Sequence, residues 1–150
     1  MFSIGEILDL AIRLERNGEK AYRDALQNGQ DPPISDLLVQ LAEDEQRHAE
    51  WFAALKEEWK SSEASPFEDM ETAVFREIFG TQTFSLGEAD FAHLEDRNDL
   101  LKFAIEFEKD SIAFYQMLQS LISDFDTSRQ MGRILEEERK HVQALEALLP

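Results

Sequence analysis

Apolar and small residues recur at alternating spacings of three and four along most of this chain, the signature of helices that bury one stripe. From Ser3 to about Asn28 the stripe runs through Leu8, Ala11, Gly18, Tyr22 and Ala25, and Ser3 with Glu6 supplies a capping box at its start. The run Asn28, Gly29, Gln30, Asp31, Pro32, Pro33 ends that helix and opens a second, whose face carries Ile34, Leu38, Leu41, Phe52, Leu55 and Trp59. A connection this short makes the two helices antiparallel neighbours. Ser65 and Pro66 then read as the cap and first turn of a shorter amphipathic helix with Phe67, Met70, Val74, Phe75 and Ile78, stopped at Gly80. After a turn-rich stretch, a third long helix shows Leu101, Ala104, Ser111, Tyr115, Leu118 and Ile122 on one stripe. A loop over Asp124 to Thr127, with Thr127 or Asp126 as cap, leads into a last helix with Met131, Ile134, Leu145 and Leu148. No segment alternates with the period of a strand. The expected class is all-α: a four-helix bundle in one domain over 1–150, with helix pairs 3–61 and 98–149 joined by a long crossover, 62–97, that holds the short extra helix.

Extending each stripe without skipping a position places charged groups in the core seam. Glu15 falls between Ala11 and Gly18, Glu45 and His48 between Leu41 and Phe52, Glu108 between Ala104 and Ser111, and Glu138 and His141 between Ile134 and Leu145. One offset relates them. A shift of 93 carries Ala11 to Ala104, Glu15 to Glu108, Tyr22 to Tyr115, Glu45 to Glu138 and His48 to His141. Both helix pairs obey it, so the chain reads as a duplicated helix hairpin with a pseudo-two-fold centre.

A lone ionised carboxylate in a core is so costly that it is neutralised or replaced, and four together need cations. Residues three apart on a helix are neighbours, so Glu45 with His48 and Glu138 with His141 each offer an oxygen and a nitrogen to one site. Glu15 and Glu108 close it from the facing helices. Four carboxylates are neutralised by two divalent ions and left doubly negative by one. Four oxygen and two imidazole ligands favour iron, with manganese as the alternative, over zinc. Dimetal carboxylate bundles are described by this pattern: a glutamate from each of two helices and Glu-x-x-His from each of the other two.

Composition narrows the chemistry further. The 150 residues include 32 acids against 15 basic residues, a net charge of −17, which disfavours nucleic acid and anionic membrane surfaces and favours metal cations as partners. With no cysteine, the chain has no disulfides, thiolate nucleophiles or cysteine-bound metal. No window approaches about 18 uninterrupted apolar residues, and the acidic N-terminal stretch is unlike a signal peptide, so a cytoplasmic location is expected. Tyr22 and Tyr115 are candidates to hydrogen-bond a ligand carboxylate or to act in redox, or are ordinary core tyrosines. Trp51 and Trp59 are read as packing aromatics, His93 as a surface or crossover residue, and Glu43, Asp44, Glu136 and Glu137 as solvated faces.

Through AIRLERNGEKAY, EDEQRHAEW, AIEFEKDSIAFY and EEERKHVQAL the chain resembles the rubrerythrin-like branch of the ferritin-like superfamily. The resemblance implies that Glu45 and Glu138 bridge two metals, that Glu15 and Glu108 are terminal carboxylates, and that His48 and His141 are terminal nitrogen ligands. It implies a di-iron oxidoreductase reacting with hydrogen peroxide or dioxygen, in peroxide detoxification or as a ferroxidase, and a homodimer. Rubrerythrins carry a cysteine-bound iron module that this chain lacks, and the extra glutamate of their third helix is replaced by Ser111, so an external electron donor is expected. The rival expectation is a non-catalytic iron or manganese binding or storage protein with the same dimetal site.

Overall fold

The computed structural model describes residues 4–61 and 96–150, and these form four helices. They are α1 (Ile4–Leu26), α2 (Pro32–Ser61), α3 (Arg97–Ser120) and α4 (Phe125–Ala147). The cap expected at Ser3, the short crossover helix and His93 lie outside the described residues.

Each helix forms where an apolar stripe and a stop signal coincide. In α1 the buried positions are Ile7, Leu8, Ala11, Leu14, Glu15, Gly18, Ala21, Tyr22 and Ala25, which is the predicted stripe with its flank. The turn that follows uses Gly29 at φ +72°, a left-handed conformation that a side chain would strain. Pro32 opens α2, where its missing N–H removes no helical bond, and the Asp31 carbonyl accepts from the N–H groups of Ile34 and Ser35. Asp96 caps α3 by accepting from the backbone N–H of Asn98 and Asp99.

The start of α4 differs from the sequence expectation. Its cap is Asp124, not Asp126 or Thr127, and the helix begins at Phe125, so the connecting loop is 121–124 instead of 124–127. The Asp124 carboxylate accepts both the Thr127 N–H at 2.9 Å and the Thr127 hydroxyl at 2.7 Å. A cap that satisfies an orphan amide and a side chain together outcompetes one three residues later.

The pairing of helices follows from their short connections. Asp9 meets Lys56 and Arg23 meets Gln46, so α1 and α2 run antiparallel. Lys109 lies near Glu146 and Gln119 bonds Ser128, so α3 and α4 do the same. The two hairpins face each other through α2 and α4, where Trp51 donates to Gln130 at 2.7 Å. Arg97 ties the open end of the second hairpin by donating to the Leu148 carbonyl. Tyr22, Tyr115, Phe52 and Phe114 are the largest fully buried side chains, and they surround the middle of the bundle. Among the described residues no helix is long and apolar enough to cross a membrane.

Gly18 of α1 faces Phe107 of α3. A β-carbon there would lie 2.9 Å from Phe107 Cε1 and 3.4 Å from the Glu45 carboxylate. Phe107 is buried edge-on against Tyr22, so it has little room to yield. Gly18→Ala is expected to destabilise the protein by about 1 kcal/mol, because overpacking outweighs the gain in helix propensity. Gly132→Ala is the control. There the near neighbour is the end of the Gln119 side chain at 3.3 Å, which can shift, and stability should rise by up to about 1 kcal/mol. Chemical denaturation of both variants checks the opposite signs.

Candidate metal centre

All four helices contribute to one polar cluster in the core. Glu15 comes from α1, Glu45 and His48 from α2, Glu108 from α3, and Glu138 and His141 from α4, and none is more than 4% exposed. The helical spacing of three sets Glu and His of each pair side by side, pointing inward.

The six divide into two overlapping groups. One atom each from Glu15, Glu45, His48 and Glu138 lies within 4.8 Å of the others, and the same holds for Glu45, Glu108, Glu138 and His141. Glu45 and Glu138 belong to both groups. The imidazoles stack across the centre at 6.2 Å between ring centroids, each turning Nδ1 inward. His48 Nδ1 lies 2.9 Å from Glu138 Oε1, and His141 Nδ1 lies 3.2 Å from Glu138 Oε2. Glu138 thus spans the two rings.

Three carboxylate oxygens in this cluster, Glu15 Oε2, Glu45 Oε1 and Glu108 Oε2, are buried with no hydrogen-bond partner among the described residues. A native core rarely leaves such atoms unmet, and three at one point, each on a different helix, match what a pair of cations would coordinate. The donor set of four carboxylates and two imidazole nitrogens suits first-row divalent metals.

Electrostatics tell the same story for the protein alone. Burial, and then the charges of Glu138, Glu15 and Glu108, push the Glu45 carboxyl well above its usual range. Burial and Glu138 push Glu108 up to about 8. Glu138 moves down, because hydrogen bonds to Glu108, His141 and His48 outweigh its burial and the charge of Glu15. Burial disfavours the charged imidazole of His48, yet hydrogen bonds to Glu138 and Glu15 push it up to about 11. His141 is likewise raised against burial, by Asp44, Glu108, Glu138 and Glu45. Two imidazolium ions therefore stand where cations are wanted.

The tyrosines take a defined role. Tyr22 of α1 donates to Glu108 of α3 at 2.5 Å, and Tyr115 of α3 donates to Glu15 of α1. Each thus steadies the glutamate of the opposite hairpin, leaving its second oxygen unpartnered. Burial, then the neighbouring glutamate charges, raise both phenols well above their ordinary value, so both stay protonated as donors. Ser111 turns away to its own helix, donating to the Phe107 carbonyl.

Asp44 and Glu137, expected to be solvated, are only partly so: both are half-buried and each bonds an imidazole. His141 Nε2 lies 2.9 Å from Asp44 Oδ2, and His48 Nε2 lies 2.5 Å from Glu137 Oε2. Each imidazole is held from outside by an acid of the other hairpin. Hydrogen bonds from the imidazole and from Arg47 lower both acids even against the burial that opposes it. A signal for this existed in the repeat, since the same offset of 93 carries Asp44 to Glu137. Glu43 and Glu136 are exposed, as expected. Trp51 is half-buried against Phe52.

A cavity of about 410 Å³ lies outside this centre, lined by Arg47, His48, Trp51, Gln130, Arg133, Ile134 and Glu137. It brings solvent-sized molecules to the outer edge of the His48 ring.

Comparison with known proteins agrees with this fold. No curated protein matches the chain. A crystal structure from Thermotoga maritima, of a protein assigned as ferritin-like and diiron-carboxylate, superposes with a TM-score of 0.69 at 24% identity, covering 98% of this chain and 94% of that one. At that identity the likeness speaks for the fold, a ferritin-like four-helix bundle. The rubrerythrin family model matches residues 6–149, nearly the whole chain, and carries the assignment further: this protein belongs to the rubrerythrin family.

Proposed function

We propose that the chain is a di-iron oxidoreductase in which Glu15, Glu45, His48, Glu108, Glu138 and His141 hold two iron ions and an external donor returns the electrons. The observation that carries this reading is the pair of four-residue groups sharing Glu45 and Glu138, with three buried carboxylate oxygens left unpartnered around them. Two ferrous ions held there would supply the two electrons that, with two protons, convert one hydrogen peroxide to two waters. Glu45 and Glu138, which belong to both groups, would be shared by the two ions, while Glu15 with His48 and Glu108 with His141 would each serve one of them. Tyr22 and Tyr115 keep the terminal carboxylates aimed. The cavity beside His48 is large enough for a molecule the size of peroxide. Dioxygen in place of peroxide, or release of the oxidised iron, would use the same residues.

The test is anaerobic loading with Fe2+, followed by stoichiometric peroxide, for wild type and Glu45→Ala. Two irons per chain and rapid growth of near-ultraviolet absorbance, both lost in the variant, are expected. Fewer than about one iron per chain, or no spectral response in wild type, would falsify the enzymatic reading.

A further inference from the structure

Among the described residues, Arg47 is the one Lys or Arg that joins the two outer acids. Its Nη2 donates to Asp44 Oδ1 at 2.8 Å and to Glu137 Oε2 at 3.0 Å, and its Nη1 donates to Glu137 Oε1 at 3.2 Å. The other Asp44 oxygen faces His141, and Glu137 Oε2 also faces His48. A continuous path therefore runs from His141 through Asp44, Arg47 and Glu137 to His48, crossing between α4 and α2 three times.

This path breaks the pseudo-symmetry of the bundle. The repeat offset of 93 pairs Arg47 with Lys140, which among the described residues bonds to neither acid. A lysine ammonium is a point donor, whereas the guanidinium fork grips a carboxylate with two parallel bonds and reaches a second one from the same plane. The first helix pair supplies the clamp and the second does not.

We infer that Arg47 is a positioning residue that couples the two imidazole ligands, holding Asp44 and Glu137 so that both Nδ1 atoms stay aimed at the centre. The inference rests on the proposed metal site, and it concerns a residue outside the six proposed ligands. An imidazole free to rotate loses ligand geometry, and removal of such outer partners commonly costs about 10-fold or more in metal affinity.

The sign of the effect separates positioning from charge. Arg47 is a cation near a cation site, so by Coulomb's law alone its removal should tighten metal binding. Positioning demands the reverse. Arg133 lines the same cavity but makes no hydrogen bond or ion pair among the described residues, so Arg133→Ala reports the charge effect by itself.

The experiment titrates Co2+ into the metal-free full chain by calorimetry and records the visible ligand-field bands, for wild type, Arg47→Ala, Arg47→Lys and Arg133→Ala. Arg47→Ala is expected to weaken binding about 10-fold or more and to shift the bands, while Arg133→Ala binds as tightly as wild type or tighter. Arg47→Lys, which keeps the charge and loses the fork, should remain several-fold weaker than wild type. Equal or tighter binding by Arg47→Ala, or full rescue by lysine, overturns the clamp while leaving the metal site standing. No Co2+ binding by wild type would remove the metal site itself, and the clamp with it. Because Arg47 is exposed, unchanged helicity by circular dichroism is expected in every variant.

Discussion

Glu45→Gln should change the thermal stability of this protein in opposite directions with and without metal. In the metal-free chain Glu45 is buried among Glu15, Glu108 and Glu138, its carboxyl is raised well above the usual range, and one of its oxygens has no partner. An amide of the same shape removes the repulsion, so at mildly alkaline pH the metal-free variant should melt above wild type. With metal the order reverses. Binding at a thousand times the dissociation constant stabilises by about 4 kcal/mol, or roughly 10 °C in a chain of this size. Glutamine cannot bridge two cations as a carboxylate does, so the variant should bind at most one ion per chain and forgo most of that gain. Paired melting curves, one with chelator and one with Fe2+ or Co2+ under anaerobic conditions, test both signs. A variant more stable than wild type in both states would mean that the acids are a buried burden without a metal to serve.

The second large effect is on pH. In the metal-free chain His48 is raised from its ordinary 6.5 to about 11, so its stabilising contribution is complete below about pH 6.5 and is lost as pH rises through 11. Glu108 is raised from 4.5 to about 8 by burial and by Glu138, so it too favours the folded state in its protonated form, and that contribution fades as pH climbs through 8. Glu45 shifts the same way. Asp44, Glu137 and Glu138 are lowered, and their contributions are already complete above the ordinary carboxylate range. Melting temperature of the metal-free protein should therefore fall steadily between about pH 5 and about pH 9. Metal binding must displace the imidazolium protons and any held by Glu45 and Glu108, so affinity should rise over the same range. Calorimetric titration in buffers of different ionisation enthalpy should count at least two protons released per chain near neutrality. A metal-free melting temperature that is flat or rising with pH, or binding without proton release, would contradict protonated imidazoles and glutamates in the metal-free centre.

Helical periodicity is a local property, and so the long helices were legible in the sequence. So was the gathering of Glu15, Glu45, His48, Glu108, Glu138 and His141, because a charge in an apolar stripe is conspicuous and the offset of 93 repeats it in both halves. Which residues stand behind those six was decided by tertiary structure. Asp44 and Glu137 sit on the flank of their helices, where a sequence shows only another acid on a very acidic chain. Their partners are imidazoles on the opposite hairpin, and no spacing along one helix reports the distance to another. The same reason explains the tyrosines. Periodicity put Tyr22 and Tyr115 in the core, but only the antiparallel packing of α1 against α3 brings each hydroxyl to the other helix's glutamate. The start of α4 turned on a finer competition, in which Asp124 satisfies a backbone amide and a hydroxyl together. Patterns within a helix thus set the elements and the buried charges, while the contacts that aim those charges arise between helices, where geometry in three dimensions selects one partner among many acids.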